Sequence, residues 1–200
     1  MNLERVRIGF AVTGSFCTFS KILPVMQKLV DAGAIVQPIF SPVVAREDTR
    51  FFKAEDFAHR VGGITGRKSW TTLNEVEPIG PKKALDLMLV APCTGNTLGK
   101  LAHGIIDTPV TMAVKSHLRN GRPVVLAVST NDGLSGSAEN LGILLNRRHY
   151  YFVPFGQDDS MAKPNSLVAH MNLIPLTCSM ALDNRQLQPL LIPYEGDDVH

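Results

Sequence analysis

The chain has 200 residues, 44% hydrophobic and 19% charged, enough for one domain with a substantial core, or for one domain with a tail. Its 20 basic against 18 acidic residues lack the electrostatic footprint of a nucleic-acid or membrane-surface protein, and the tight pairs Lys82-Lys83 and Arg147-Arg148 read as solvated charges. Three widely spaced cysteines, Cys17, Cys93 and Cys178, with no C-x-x-C pair, argue against a disulfide framework and a zinc site. No apolar run reaches the about 18 residues needed to span a bilayer, and the start has no signal-peptide core, so a cytoplasmic protein is expected.

Residues 6–12 form an apolar β-type run that ends at Thr13-Gly14-Ser15. A helix is predicted over 18–32, with Ile22, Leu23, Met26, Leu29 and Val30 on one face, Pro24 in its early turns and Gly33 closing it. The next strand, 34–40, contains Pro38, which calls for an edge position or a bulge. Together these make a right-handed βαβ unit. The turn does not match a dinucleotide fingerprint: Gly9 and Gly14 are not spaced as G-x-G-x-x-G, and Gln37 stands where a ribose-binding acid is expected. It is either a holder for a single phosphate or a plain tight turn.

Ser41-Pro42 closes the second strand, putting a hydroxyl beside the first loop or simply a turn serine there. A helix is predicted over 45–60, with Phe51, Phe52 and Phe57 as apolar contacts. Residues 62–81 carry four glycines, two prolines and the single Trp70, and read as a long mobile connection over a crevice or at a subunit contact. Residues 84–90 suit a strand buried on both faces, which Pro92 stops. Thr94-Gly95-Asn96 then caps a helix through Leu98, Leu101 and Ala102.

Asp107-Thr108-Pro109 opens another helix, through Met112, Val114 and Leu118 to Asn120-Gly121. A buried strand over 123–128 ends in Ser129-Thr130-Asn131-Asp132-Gly133. A helix over 137–146, a strand over 150–153, a loop over 156–160 and a closing helix over 166–183, despite Pro175, complete the pattern. The organisation expected is an α/β domain over 1–165 and, over 166–200, a helix and an extended tail (Pro189, Pro193, Gly196) packing on the same domain or on a partner. Strands alternating with helices imply a mostly parallel sheet, and several strand ends rich in small polar groups would line one crevice.

Thr13-Gly14-Ser15, Ser41-Pro42, the stretch Ala91-Pro92-Cys93-Thr94-Gly95-Asn96-Thr97 with Gly99-Lys100-Leu101-Ala102-His103-Gly104, and Ser129-Thr130-Asn131 resemble the signature loops of the homo-oligomeric flavin-containing cysteine decarboxylases. That family's central loop reads P-A-S/T-A-N-T, followed by a G/A-K-L-A-x-G helix. The resemblance implies a Rossmann-like (flavodoxin-like) three-layer sandwich with FMN at the strand ends, in trimers or multiples of them. Carried over by position, Gly14 and Ser15 with Ser41 would bind the FMN phosphate, and the adjoining Phe16 is counted among the cofactor-binding residues. Thr94, Asn96 and Thr97 would approach the ribityl chain or ring, with Cys93 beside the ring and Pro92 counted among the cofactor-binding residues, and Ser129, Thr130 and Asn131 would complete the site. Cys93 stands where the family has alanine, either as a buried small apolar group or as a redox or nucleophilic thiol.

The departures bear on activity. Pro78 replaces the family histidine about eight residues before Asp86, the cysteine-bearing clamp near Phe155, Gly156, Gln157 and Asp158 is missing, and Val128-Ser129-Thr130-Asn131 stands for P-x-M-N. Decarboxylation is therefore not expected, and no catalytic acid or base is assigned; His59 and His103 read as surface or capping residues. The likeness of the whole chain implies instead an oxidoreductase subunit of a sporulating bacterium. It would act with a nicotinamide-dependent A subunit, through which alone NADP enters, on a small dicarboxylate for which Arg46, Arg50, Arg67 and Lys68 are candidate partners. The alternatives are a non-catalytic assembly subunit and a residual decarboxylase or prenyl-flavin-type transferase.

Overall fold

Three runs of branched and aliphatic residues, buried along nearly their whole length, form the centre of the computed structural model: β1 (Arg7–Val12), β3 (Leu87–Cys93) and β4 (Val124–Thr130). The structure describes residues 3–194. Helices cover both faces of the sheet, so these strands have no wet side and their sequences do not alternate. On one face lie α1 (Phe19–Asp31), α3 (Ala54–Thr65) and α8 (Ile174–Leu182). On the other lie α4 (Leu73–Val76), α5 (Gly95–His103), α6 (Pro109–Leu118) and α7 (Ala138–Leu145). The expected three-layer α/β sandwich is what forms.

The parallel strands run in the order β2-β1-β3-β4-β5, with β2 at Ile35–Phe40 and β5 at Tyr150–Phe152. This is a flavodoxin-like order, and the chain reverses its direction of winding between β1 and β3. Pro38 sits on the edge strand as expected. The amides of Ile35 and Ser41 donate to Val6 and Val12 of the β1 side, so Pro38, out of phase with them, loses no ladder bond. The outer edge is partly covered by Trp70, which exchanges backbone bonds with Pro38 and Phe40.

Four expectations need correction. The helix expected over 45–60 is two: α2 (Pro42–Arg46) and α3, separated by a turn in which the Thr49 hydroxyl accepts from the amides of Phe51 and Phe52 and the Asp48 carboxylate accepts from that of Ala54. Side chains that satisfy amides locally remove the reason to continue a helix. Residues 62–81 are not a mobile connection over the crevice. α3 runs through Gly62 and Gly63 to a left-handed Gly66, Thr72 and Glu75 make a capping box for α4, and the Glu77–Ile79 turn is pinned to α6 by the Ser116 hydroxyl.

The third strand lies later than expected and passes through Pro92, whose missing donor falls in a register shift between Val90 and Cys93. Residues 166–183 are not one helix. Leu167–Ala169 is a strand, β7, antiparallel to the end of β4 and followed by the two-residue strand β6 (Phe155–Gly156) in the sheet. A short turn at Met171–Leu173 follows β7, and α8 starts with Pro175 in its first turn, where its lost amide costs nothing.

The described part of the tail folds back on this edge. Phe155 exchanges backbone bonds with Leu190 and Ile192, and the Gln186 side chain pairs with both backbone groups of Phe152. Gly196 lies outside the described residues. Among the described residues no helix is long and apolar enough to cross a membrane.

Candidate functional site

The site is built where β1, β3 and β4 end. Thr13, almost wholly buried, ties two of these ends together: its hydroxyl donates to the Pro92 carbonyl (2.7 Å) and accepts from the Thr94 amide (3.1 Å). The third end joins through Ser15 and Ser129, whose hydroxyls are 2.8 Å apart. Between these loops opens a cleft of about 700 Å³. It lies at the switch point of the sheet, where strand ends and helix starts leave amides without partners.

Two helices begin at the cleft. The Phe16–Thr18 turn leading into α1 and the first turn of α5 both present amides that no intrahelical carbonyl can satisfy, at Phe16 and Cys17 and at Gly95 and Asn96. Their electrostatics differ. Asp132 lies against Gly95, where an added Cβ would stand 2.8 Å from its carboxylate oxygen, so an acid of the chain already faces the start of α5. Neither helix start has an acid in its own first turn, so it is Asp132 that makes the start of α5 the poorer place for an anion.

Of the residues singled out from the sequence, Gly14, Ser15, Phe16, Thr94, Asn96, Ser129, Thr130 and Asn131 line this one cleft. The side-chain amides of Asn96 and Asn131 bond to no described residue and are free for a ligand. Four others stand behind its wall. Thr97 is buried with its hydroxyl 3.0 Å from that of Thr94, where it helps to cap α5. Pro92 and Cys93 are in-sheet residues of β3, and burial pushes the Cys93 thiol far above its ordinary range, which leaves it a protonated, small apolar group. Ser41 is buried at the end of β2, its amide on the Val12 carbonyl and its hydroxyl without a partner in the structure.

The cleft also contains residues the sequence reading did not assign to it. Cys17, Gly95 and Asp132 follow from neighbours already chosen, whereas Asp158, Lys163, Ser166 and Val168 arrive only because β7 pairs with β4, Val168 opposite Ser129 and Leu167 opposite Thr130. Pro164-Asn165 before a short apolar run was the available signal for that turn and strand. Asp158 accepts from Ser166 (2.5 Å) and Lys163 (3.0 Å). Burial alone would raise its pKa, but these two donors outweigh it and hold the carboxyl below its usual range.

Of the cations considered, Arg50 alone lines the cleft. His59, His103 and Pro78 do not line it. Among the described residues there is no cluster of His, Cys, Asp or Glu fit to hold a metal ion.

The Flavoprotein family matches residues 1–154. The B subunit of dipicolinate synthase from Bacillus subtilis is 44% identical over 198 residues, 98% of this chain and 99% of that protein. The chain belongs to the flavoprotein family. The crystal structure of the dipicolinate synthase B subunit from Bacillus halodurans superposes with a TM-score of 0.89 at 42% identity, over 96% of this chain and 99% of that one. The FMN-dependent cysteine decarboxylase SpaF, at 20% identity and a TM-score of 0.68 over 90% of this chain and 99% of that one, shares the fold. In this flavoprotein-family chain the matched region contains β1 to β5, whereas Asp158, Lys163 and Ser166 lie beyond it.

Proposed function

We propose that the cleft is a flavin mononucleotide site and that the chain serves as the B subunit of a dipicolinate synthase. With the dipicolinate synthase A subunit, which would carry NADP, it oxidises a dihydrodipicolinate-type intermediate to pyridine-2,6-dicarboxylate in the mother cell of a sporulating bacterium. The observation that carries the reading is the convergence of three strand-end loops on one cleft at the switch point, in a chain so similar to named B subunits.

The residues present fit the group. The buried Ser41 hydroxyl lacks a partner and sits beside the β1 loop, where an added Cβ on Gly14 would be 3.1 Å from Val43. A phosphate at this turn would take hydrogen bonds from Ser15 and the amides that open α1, with the unpaired Ser41 hydroxyl behind the wall. Asn96 and Asn131 would offer free amides to the ring, Thr94 would face the ribityl chain, and Phe16 would supply an apolar wall. When bound, the flavin supplies an acceptor for the hydride that leaves the substrate.

The chain's own part is positioning and charge. Asp158 is held ionised by Ser166 and Lys163, so Lys163 is a fixed cation with a fixed counter-charge at the rim. Thr13 and the Ser15–Ser129 pair fix the loops relative to one another, which orders the polar groups before a ligand arrives.

The deciding experiment is the visible spectrum of the purified chain, with FMN titrated by fluorescence in the presence and absence of the A subunit. Flavin bands near one per chain, lost in Asn96→Ala, support the reading; no binding under either condition overturns it. A second reading, an assembly subunit that has lost its own chemistry, is favoured by one observation: among the described residues no histidine lines the cleft, and burial keeps the Cys93 thiol behind it protonated. Ser15→Ala and Asn96→Ala would then leave the activity of the complex intact. The flavin mononucleotide reading also expects a homo-oligomer, a trimer or a multiple of one, measurable by light scattering.

A further inference from the structure

Two cations line the cleft, and they differ in what faces them. Lys163 is 3.0 Å from the Asp158 carboxylate. Arg50 forms no ion pair with any described residue; its guanidinium lies 4.8 Å over the ring of Phe51, which is 44% exposed at the same cleft. The remaining acid, Asp132, rests against the start of α5, whose positive end offsets it. Among the described residues, Arg50 is therefore the cation of the cleft without an acid partner.

The segment that carries it is built, not loose. The Thr49 hydroxyl accepts from the amides of Phe51 and Phe52, both at 3.2 Å, and the Asp48 carboxylate accepts from Ala54 at 2.9 Å. Phe52 is the anchor, its ring 5.9 Å from that of Phe19 and 5.7 Å from that of Phe57. One aromatic ring is thus partly buried against the core while its neighbour in sequence is left exposed at the cleft. An exposed ring bearing a free guanidinium is a pairing suited to a flat anion: the ring stacks, and the planar fork takes a carboxylate in two hydrogen bonds.

We infer that Arg50 and Phe51 form the specificity arm of the cleft, Arg50 pairing with one carboxylate of a small planar dicarboxylic acid and Phe51 stacking on its plane. This rests on the dicarboxylate reading of the site given above and names the residues that would enforce it. Arg46, at the end of α2, and Arg67 and Lys68, beyond α3, take no part. The Lys68 carbonyl is bound by Gln37 at the sheet edge.

The test is calorimetric titration of the full chain, with and without FMN, using pyridine-2,6-dicarboxylate and pyridine-2-carboxylate. The wild-type chain should prefer the diacid. Arg50→Gln should weaken diacid binding about tenfold or more, the loss of one charge-assisted pair, and abolish the preference over the monoacid. Phe51→Leu should weaken both acids by a similar factor, and neither variant should change FMN binding. If Arg50→Gln keeps the preference while the wild type binds the diacid, the arm is wrong and the functional reading stands. If Arg50→Gln loses FMN and not the diacid, Arg50 belongs to the cofactor phosphate and the inference fails. If the wild-type chain binds neither acid, the dicarboxylate reading falls and takes the arm with it.

Discussion

Ser15 and Ser129, 114 residues apart in the chain, bring their hydroxyls to 2.8 Å and so join the loop after β1 to the loop after β4 across the mouth of the cleft. A side-chain bond between two loops matters more for a ligand than for the fold, because each strand is already held by its ladder. Ser129→Ala should leave the thermal midpoint nearly unchanged and weaken FMN about three- to tenfold, the range of one net hydrogen bond. Ser15→Ala should weaken it further, since that hydroxyl also faces the proposed phosphate position. Fluorescence titration of the two variants side by side measures this.

Thr13 is the opposite case. Its hydroxyl serves a buried carbonyl and a partly buried amide of the β3 end, at Pro92 and Thr94. Thr13→Val keeps the shape and leaves both groups without a partner, at a cost of about 1–3 kcal/mol. Denaturant unfolding should show a lowered midpoint with the slope unchanged, and Thr13→Ser should recover most of the loss.

The three cysteines should separate by reactivity. Cys17 is exposed at the cleft, whereas Cys93 and Cys178 are fully buried and burial alone pushes both thiols far up. A thiol reagent should titrate one group per native chain and three in denaturant. If FMN binds as proposed, it should slow the native reaction, because Cys17 lines the same cleft.

His117 makes stability depend on pH. It is fully buried on α6, its Nε2 donates to the Pro123 carbonyl at 3.1 Å, and its Nδ1 has no partner. Burial is the main cause that pulls its pKa from 6.5 down to about 4, with Arg122 adding to the effect and the Pro123 bond opposing it. Between those values the unfolded chain binds a proton that the folded chain refuses, so stability is full above about pH 6.5 and falls as the pH drops toward 4. The loss at pH 5 should be about 2 kcal/mol. His117→Gln should flatten that segment of the curve. The Asp86 carboxyl, held below its ordinary 3.8 mainly by its hydrogen bond from Arg7, loses its contribution only at lower pH.

Much of this architecture was legible in the chain because it rests on local chemistry. Unbroken apolar runs mark strands buried on both faces, Thr94 and Thr108 mark helix starts, and Pro38 marks the edge strand, each for a reason contained in a few neighbouring residues. The polar ends of the first, third and fourth strands were legible for the same reason, and with them the loops of the cleft. What failed was also local in appearance. Thr49 and Asp48 divert amides from a helix whose apolar spacing Phe51, Phe52 and Phe57 would otherwise continue, and Leu167-Val168-Ala169 reads as helix until the end of β4 is there to pair with it.

The sequence by itself determined the class of fold and which loops carry polar groups, since hydrophobic period and capping act over one or two turns of chain. Only the tertiary structure decided which of those groups face the cleft. It set Thr97 and Cys93 behind the wall, left Ser41 buried and unpaired, and brought Asp158, Lys163 and Ser166 to the rim through the β4–β7 pairing. It also singled out Arg50 among four candidate cations, because whether a charge is compensated depends on which residues fold against it, and that is a property of space rather than of sequence neighbours.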